Sequence, residues 1–186
     1  MLKILNYISN DKKELFERAR NIRNSAWGNI VTYSRKVFVP LTNMCRDTCS
    51  YCTFVKDPNS HLAKILNPDE VMKIVDLGEK SGCKEVLLSL GEKPELRYLK
   101  AKNELNKLGF SSMVDYLTYI CGLILKKSSL LPHVNAGTLT KDEISKLKPV
   151  TASMGMMLEN TSRRLTKKGM PHYACPDKMP IQRIRT

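Results

Sequence analysis

The sequence predicts an α/β chain built on a parallel sheet with helical crossovers, and three observations point there. Short apolar runs, Val37-Phe38-Val39-Pro40-Leu41 and Glu85-Val86-Leu87-Leu88-Ser89-Leu90, have strand length and are too short for helices. Between and after them stand segments with helical spacing and capping residues. The two kinds of segment alternate, and parallel neighbours need long crossovers rather than hairpin turns.

The first helix is expected over 11–20, with Leu15, Phe16 and Ala19 on one side and Asn10 or Asp11 as N-cap. It forms an N-terminal helical extension, residues 1–30, ahead of a core over 31–186. Ser25-Ala26-Trp27-Gly28-Asn29 reads as a turn-rich break, with Trp27 as a packing anchor. Strand one follows, then a cysteine-bearing loop running to Asp57-Pro58-Asn59.

The next helix opens on Asn67, with Pro68 at N1 and Glu70 at N3, a capping box. Val71, Ile74, Val75 and Gly78 fall on one face, and Gly82 ends it. The apolar run 85–90 then predicts a strand covered on both sides. A helix is expected over 95–108, with Tyr98, Ala101, Leu105 and Leu108 as its stripe and Gly109 at its end. Ser112 caps another, whose buried face is Leu117, Ile120, Cys121 and Ile124. Strand three is expected over 130–134, a short helix capped by Thr140 and Glu143 follows, strand four spans 150–156, and 177–186 reads as a helix beginning.

The chain has 186 residues, 42% of them hydrophobic, enough for a core of its own. Six unevenly spaced cysteines and an N-terminus without a long apolar core favour a reducing cytoplasmic setting over a disulfide framework. The longest apolar run, 116–125, falls short of the ~20 residues a membrane span needs, so no membrane partner is expected. A net charge of +13 favours anionic partners. The lysines are scattered without aromatic interleaving, so no nucleic-acid surface is expected.

Chemistry concentrates in Cys45-Arg46-Asp47-Thr48-Cys49-Ser50-Tyr51-Cys52. Three thiols at four- and three-residue steps after a strand can gather around one point. Thiolates suit iron–sulfur clusters, zinc or copper(I), and a closed zinc site takes four ligands rather than three. The residues alone leave open a cluster, a zinc site completed by His61, Cys83, Cys121 or Cys175, or unligated thiols.

The triplet with its aromatic Tyr51 resembles the C-x3-C-x-aromatic-C signature of the radical SAM superfamily. That resemblance selects a (β/α) barrel for the parallel sheet. It implies Cys45, Cys49 and Cys52 as ligands of a 4Fe-4S cluster whose open iron binds S-adenosylmethionine (SAM), with Tyr51 near the adenine. Only about four β/α units are present, against ~250 residues for a complete barrel, so the expectation is the N-terminal half of a longer or split enzyme.

In such barrels the working residues gather at the C-terminal strand ends. Glu92, in Leu90-Gly91-Glu92, resembles the Gly-Gly-Glu motif on the SAM amino group, Leu90 replacing the first glycine; otherwise Glu92 is a solvated turn residue. Glu159, in the stretch from Ser153 through Glu159, resembles the glutamate on the SAM ribose, and its alternative is an acid opening a helix. Gly91 and Ser153 join them as cofactor-site candidates. His133 and His172 are the candidate catalytic residues, as proton carriers or carbonyl ligands, a structural role remaining open for each. Asp177 and Lys178 are expected either at polar substrate groups or as a surface pair.

Longer strings narrow the resemblance: Tyr33 to Asn43, Cys52-Thr53-Phe54, Leu90 to Glu95, Leu130-Leu131-Pro132-His133, Ser153 to Glu159, Pro171-His172-Tyr173 and Pro176-Asp177-Lys178. Together they resemble the 7,8-didemethyl-8-hydroxy-5-deazariboflavin synthase family. The resemblance implies a lyase that completes the deazaflavin chromophore of coenzyme F-420 from a hydroxybenzyl–ribityluracil adduct, with loss of ammonia. It implies a companion radical SAM subunit supplying that small-molecule substrate and a reductase as electron donor. Another radical SAM reaction, such as the companion's hydroxybenzyl transfer, and a non-catalytic metal-binding module are the alternatives. Val134-Asn135-Ala136-Gly137 and Cys175 depart from the family pattern, Cys175 standing where Ser is expected.

Overall fold

The computed structural model describes residues 12–186. Contacts divide the chain into two units, Met1–Tyr33 and Ser34–Thr186. In the first, helix α1 runs Lys12–Trp27, seven residues past the expected end. The expected break at Ser25 is helical, and the turn begins at Gly28, whose φ of +58° suits glycine. Leu15 is half-buried, but Phe16 and Trp27 are each 67% exposed, so Trp27 does not anchor packing. The expected caps Asn10 and Asp11 lie outside the described residues.

The second unit carries a four-stranded parallel sheet in the order β1 (Lys36–Pro40), β2 (Glu85–Ser89), β3 (Leu131–Asn135), β4 (Ser153–Met154). Between the strands lie α2 (Pro68–Lys80), α3 (Leu99–Lys107), α4 (Met113–Lys127) and α5 (Lys141–Leu147), and α6 (Pro180–Arg185) closes the chain. The Asn67 capping box of α2 forms in both directions, as does that of Thr140 on α5, and Ser112 caps α4. Each supplies a partner to amide groups that the first helical turn leaves free.

One sheet face packs on the helices. Val39, Val86, Leu88 and Val134 are fully buried against a core that includes Val71 and Val75 of α2 and Leu117, Ile120, Cys121 and Ile124 of α4. Gly78 of α2 lies so close to β1 that a Cβ there would stand 2.5 Å from the Val37 Cβ. The opposite face is only half covered: along β2, Val86 and Leu88 are buried while Glu85, Leu87 and Ser89 are intermediate. The expectation that this strand is covered on both sides therefore fails. A row on that open face runs Phe38, Leu87, His133, Ser153 across the four strands.

Two boundaries also differ. The helix expected over 95–108 breaks at Tyr98 into a 3-10 turn, Pro94–Leu96, and α3. Strand four, expected over seven residues, pairs over two.

Candidate active site at the strand ends

All four strands point their C-terminal ends the same way, and the cysteine loop leaves β1 at that end. Its base is closed by the chain itself. The Leu66 amide donates to Leu41 O at 2.9 Å, Thr42 Oγ1 to Lys64 O at 3.0 Å, and Asn43 both donates to Leu62 O and accepts from the Lys64 amide. The Thr42-Asn43 pair thus ties the two feet of the loop together.

The loop is held against β2 by Gly91. A Cβ at that position would lie 1.9 Å from Met44 O, so only glycine admits this approach. It lets the Glu92 amide donate to Cys45 Sγ at 3.1 Å and the Arg46 amide donate to Glu92 O at 3.0 Å.

A strap of chain, residues 171–183, clamps the loop from the other side. The Ser50 amide donates to Pro171 O at 3.0 Å, Tyr51 Oη meets His172 Nε2 at 2.8 Å, and Cys49 Sγ meets Cys175 Sγ at 3.7 Å. The Asp177 amide donates to Asp47 Oδ1 at 3.2 Å, and the Arg46 guanidinium forks onto both Asp177 oxygens. Asp177 is fully buried and Lys178 pairs instead with Glu159 at 3.0 Å, so these two are neither a surface pair nor partners.

Cys45, Cys49, Tyr51, Cys52, Gly91, Glu92 and Glu159 all line one open cavity, with Lys178 and Arg183 on its wall. His172 reaches the cavity only through Tyr51. His133 does not line it; its Nδ1 lies 2.6 Å from Ser153 Oγ in the open-face row, so Ser153 is bound to His133 rather than turned to the cavity.

The polar floor is a network that the sequence does not announce. Glu92 is 5% exposed, so it is not a solvated turn residue. Its Oε1 accepts from the Thr138 amide and hydroxyl, at 2.6 and 2.5 Å, and its Oε2 from Arg183 Nη1 at 3.3 Å. Arg183 also donates to Met157 O and Asp177 O. A carboxylate offers about four acceptor positions, which leaves room for one further donor from the cavity. Gly137, at φ +74°, packs directly on this carboxylate: a Cβ there would lie 2.5 Å from Glu92 Cδ. The asparagine-to-glycine turn after β3 is visible in the sequence, but nothing local points to Thr138, Arg46 or Arg183.

Burial dominates the electrostatics. It pushes the Cys45 thiol up to about 11 against the opposing Glu92 and Asp47 amides, and the Cys49 thiol up to about 12 with Cys175 adding to the rise. Asp47 is pushed up to about 6 by burial and by the neighbouring Asp177 and Glu92 charges. Burial also raises Tyr51, helped by the Glu159 charge, and lowers His172, helped by Lys178. Tyr51 therefore keeps its proton and His172 stays neutral, and the tautomer of the imidazole decides which of Tyr51 Oη and His172 Nε2 donates. For Glu159, burial works upward, but the Lys178 ammonium outweighs it and holds the carboxylate low.

A radical SAM superfamily model matches residues 39–174, from the end of β1 through the cysteine loop and β2 to β4 and most of the segment that follows β4. The chain belongs to the radical SAM superfamily. An FO synthase from Nocardia farcinica is 49% identical over 160 residues, 83% of this chain and 18% of that protein. The 7,8-didemethyl-8-hydroxy-5-deazariboflavin synthase of Methanopyrus kandleri is 45% identical over 156 residues, 84% of this chain and 47% of that protein. The chain thus spans less than half the length of either relative. The solved structure of the FeFe-hydrogenase maturase HydG from Carboxydothermus hydrogenoformans shares the fold, with a TM-score of 0.70 at 23% identity over 95% of this chain and 38% of that one. The four parallel β/α units are accordingly part of a radical SAM barrel.

The donor set can be tested against the cluster that this superfamily implies. A single tetrahedral zinc ion, with sulfurs about 2.3 Å from the metal, holds them roughly 3.8 Å apart. Among the described residues, the three ligating atoms that close to within 4.8 Å of one another belong to Asp47, Glu92 and Asp177, not to the cysteine triplet. A four-iron cube sits between its sulfurs and holds them farther apart than one ion does. Of the four suggested fourth ligands, Cys121 is fully buried in α4, Cys83 precedes β2 at the opposite end of the sheet, His61 is exposed, and only Cys175 stands beside the triplet. Three soft donors around one cavity, one already receiving an amide N–H, fit a cluster with an open vertex.

Proposed function

We propose that this chain carries the cluster-binding half of a 7,8-didemethyl-8-hydroxy-5-deazariboflavin synthase. The observation that carries the reading is the identity to an FO synthase, 49% over 83% of this chain, and to a 7,8-didemethyl-8-hydroxy-5-deazariboflavin synthase, 45% over 84% of it. The reaction is completion of the deazaflavin ring system of coenzyme F-420 from a hydroxybenzyl–ribityluracil adduct, by ring closure with loss of ammonia, which makes it a lyase. Closure at an unactivated carbon demands a hydrogen abstractor stronger than any side chain, and a 4Fe-4S cluster with SAM supplies it as a deoxyadenosyl radical.

The chain's own residues do the holding. Cys45, Cys49 and Cys52 are the cluster ligands, and the remaining acceptor position on Glu92 suits the SAM ammonium, a charge-assisted pairing. Glu159, kept ionised by Lys178, can accept from two ribose hydroxyls. Tyr51, fixed by His172, forms the cavity wall on the adenine side. The row of Phe38, Leu87, His133 and Ser153 on the open face offers an aromatic and apolar shelf with a polar edge for the substrate. His133 is thereby a substrate-side residue and His172 a positioning one. A companion radical SAM subunit supplies the adduct, a reductase supplies electrons, and the setting is the reducing cytoplasm; no described helix is long and apolar enough to cross a membrane.

The test is anaerobic reconstitution with iron and sulfide, followed by measurement of 5'-deoxyadenosine and of deazaflavin fluorescence with the adduct supplied. Cluster uptake with SAM cleavage and fluorescent product is the expected result. SAM cleavage without that product moves the chain to another radical SAM reaction. Zinc uptake in a closed four-ligand shell without SAM cleavage overturns the enzymatic reading.

A further inference from the structure

We infer that Cys175 is a positioning residue for the cluster: its S–H donates to the Cys49 sulfur and so raises the cluster's reduction potential. The inference rests on Cys49 being a cluster ligand, and it concerns a residue that the ligand triplet leaves out. Three observations carry it. The two sulfurs lie 3.7 Å apart, within thiol hydrogen-bond range. Cys175 is 5% exposed, so no water competes for its proton. The strap is pinned on both sides of it, by Pro171 O accepting from the Ser50 amide and by the Asp177 amide donating to Asp47 Oδ1, so the backbone that carries Cys175 is held beside Cys49.

With both thiols protonated, either can donate, and the Cys175 proton has a second acceptor in Tyr173 O at 3.6 Å. Once Cys49 is a metal-bound thiolate it has no proton to give, and only Cys175 can be the donor. A charged acceptor outcompetes a neutral carbonyl. The Cys45 sulfur receives its own donor from the Glu92 amide at 3.1 Å, so two of the three ligand sulfurs are hydrogen-bonded by this chain. Such bonds draw electron density from the sulfur and favour the reduced, more electron-rich cluster. The result is a cluster easier to reduce than the burial of its ligands alone dictates.

Cys175→Ala and Cys175→Ser, reconstituted alongside the parent chain, test this by iron content, by the perturbation of the reduced cluster's EPR signal on adding SAM, and by potentiometric titration. The expected result is unchanged iron in both variants, with a reduction equilibrium about tenfold less favourable in Cys175→Ala, or about 59 mV for a one-electron couple. Cys175→Ser, which restores an O–H donor, should return the potential toward the parent value. An unchanged potential in Cys175→Ala overturns the inference, as does a serine variant that behaves like alanine. Loss of iron in Cys175→Ala with retention in Cys175→Ser also overturns it, because the residue is then needed to build the site rather than to tune it. A parent chain that takes up no SAM-responsive cluster sinks the underlying functional reading as well, and is distinguished by failing before any variant is compared.

Discussion

Gly91→Ala isolates the contact on which the site is assembled. The added methyl would meet Met44 O at 1.9 Å, Met44 C at 2.7 Å and Cys45 Cβ at 2.8 Å, all of them backbone or near-backbone atoms that no rotamer change can move. The cysteine loop and the end of β2 must separate. Overpacking of this kind costs about 1–3 kcal/mol. Separation also strains two backbone hydrogen bonds, Gly91 amide to Thr42 O and Arg46 amide to Glu92 O, each worth about 1 kcal/mol. The sum, about 3–5 kcal/mol, is a large part of the roughly 5–15 kcal/mol that holds a typical domain folded.

Two other glycines give the comparison its sign. Gly109 has φ +87° and no atom within 4 Å of the position a methyl would take, so Gly109→Ala carries only the left-handed backbone cost, about 1–2 kcal/mol. Gly122 sits inside α4 with Val150 Cγ1 at 3.9 Å, an ordinary contact, so Gly122→Ala should stabilise by up to about 1 kcal/mol through helix propensity. Urea titrations of the three variants, read at constant m-value, give the order Gly122→Ala above parent, then Gly109→Ala, then Gly91→Ala. A Gly91→Ala no less stable than Gly109→Ala refutes the steric account of how the loop docks on β2.

Asp177→Asn should destabilise the chain by about 3 kcal/mol in the same titration. It leaves the Arg46 guanidinium without its carboxylate, and the cost sits at the low end for a broken buried pair because the Arg46 side chain is 21% exposed; a loss below about 1 kcal/mol would show that the strap is held without this pair. Alkylation of the metal-free chain should discriminate among the thiols by pH. With Cys45 at about 11, its reactive thiolate at pH 8 is about a thousandth of the total, against about a quarter for an ordinary thiol near 8.5. Raising the pH favours the thiolate, so its rate should climb about tenfold per unit through about pH 10, where an ordinary cysteine has levelled off. Mass spectrometry of the modified peptide reads the slope, and a Cys45 that levels off by about pH 9 contradicts the burial argument.

What is legible in the sequence is what is local. The Asn67, Ser112 and Thr140 caps, the buried stripes of α2 and α4, and the cysteine loop each announce themselves within a few residues, because capping and periodicity are near-neighbour physics. Strand four reads longer than it is because Val150 to Met156 has the composition of a strand, while pairing with β3 reaches only His133 and Val134. Trp27 reads as an anchor because an indole normally buries, yet here it ends an exposed helix. Arg46, Thr138 and Arg183 look like ordinary polar residues. Their partners lie 131, 46 and 91 positions away, and no spacing rule relates them.

Those distant partners explain why the strap seats in one register. An apolar strap over an apolar loop can slide at little cost, since area burial is not directional. Here a slip of one residue would bring Pro176 or Lys178 to the place of Asp177, facing the Arg46 guanidinium. The first offers no charge and the second a repulsive one. Either slip also strips the buried Glu92 carboxylate of Arg183, and an unsatisfied polar group there costs more than its bond was worth. The buried charges therefore act less as a source of stability than as a key. Only the keyed register sets His172 opposite Tyr51 and Cys175 opposite Cys49, so the surroundings of the thiols are specified by carboxylates and guanidinium groups that need never touch a metal.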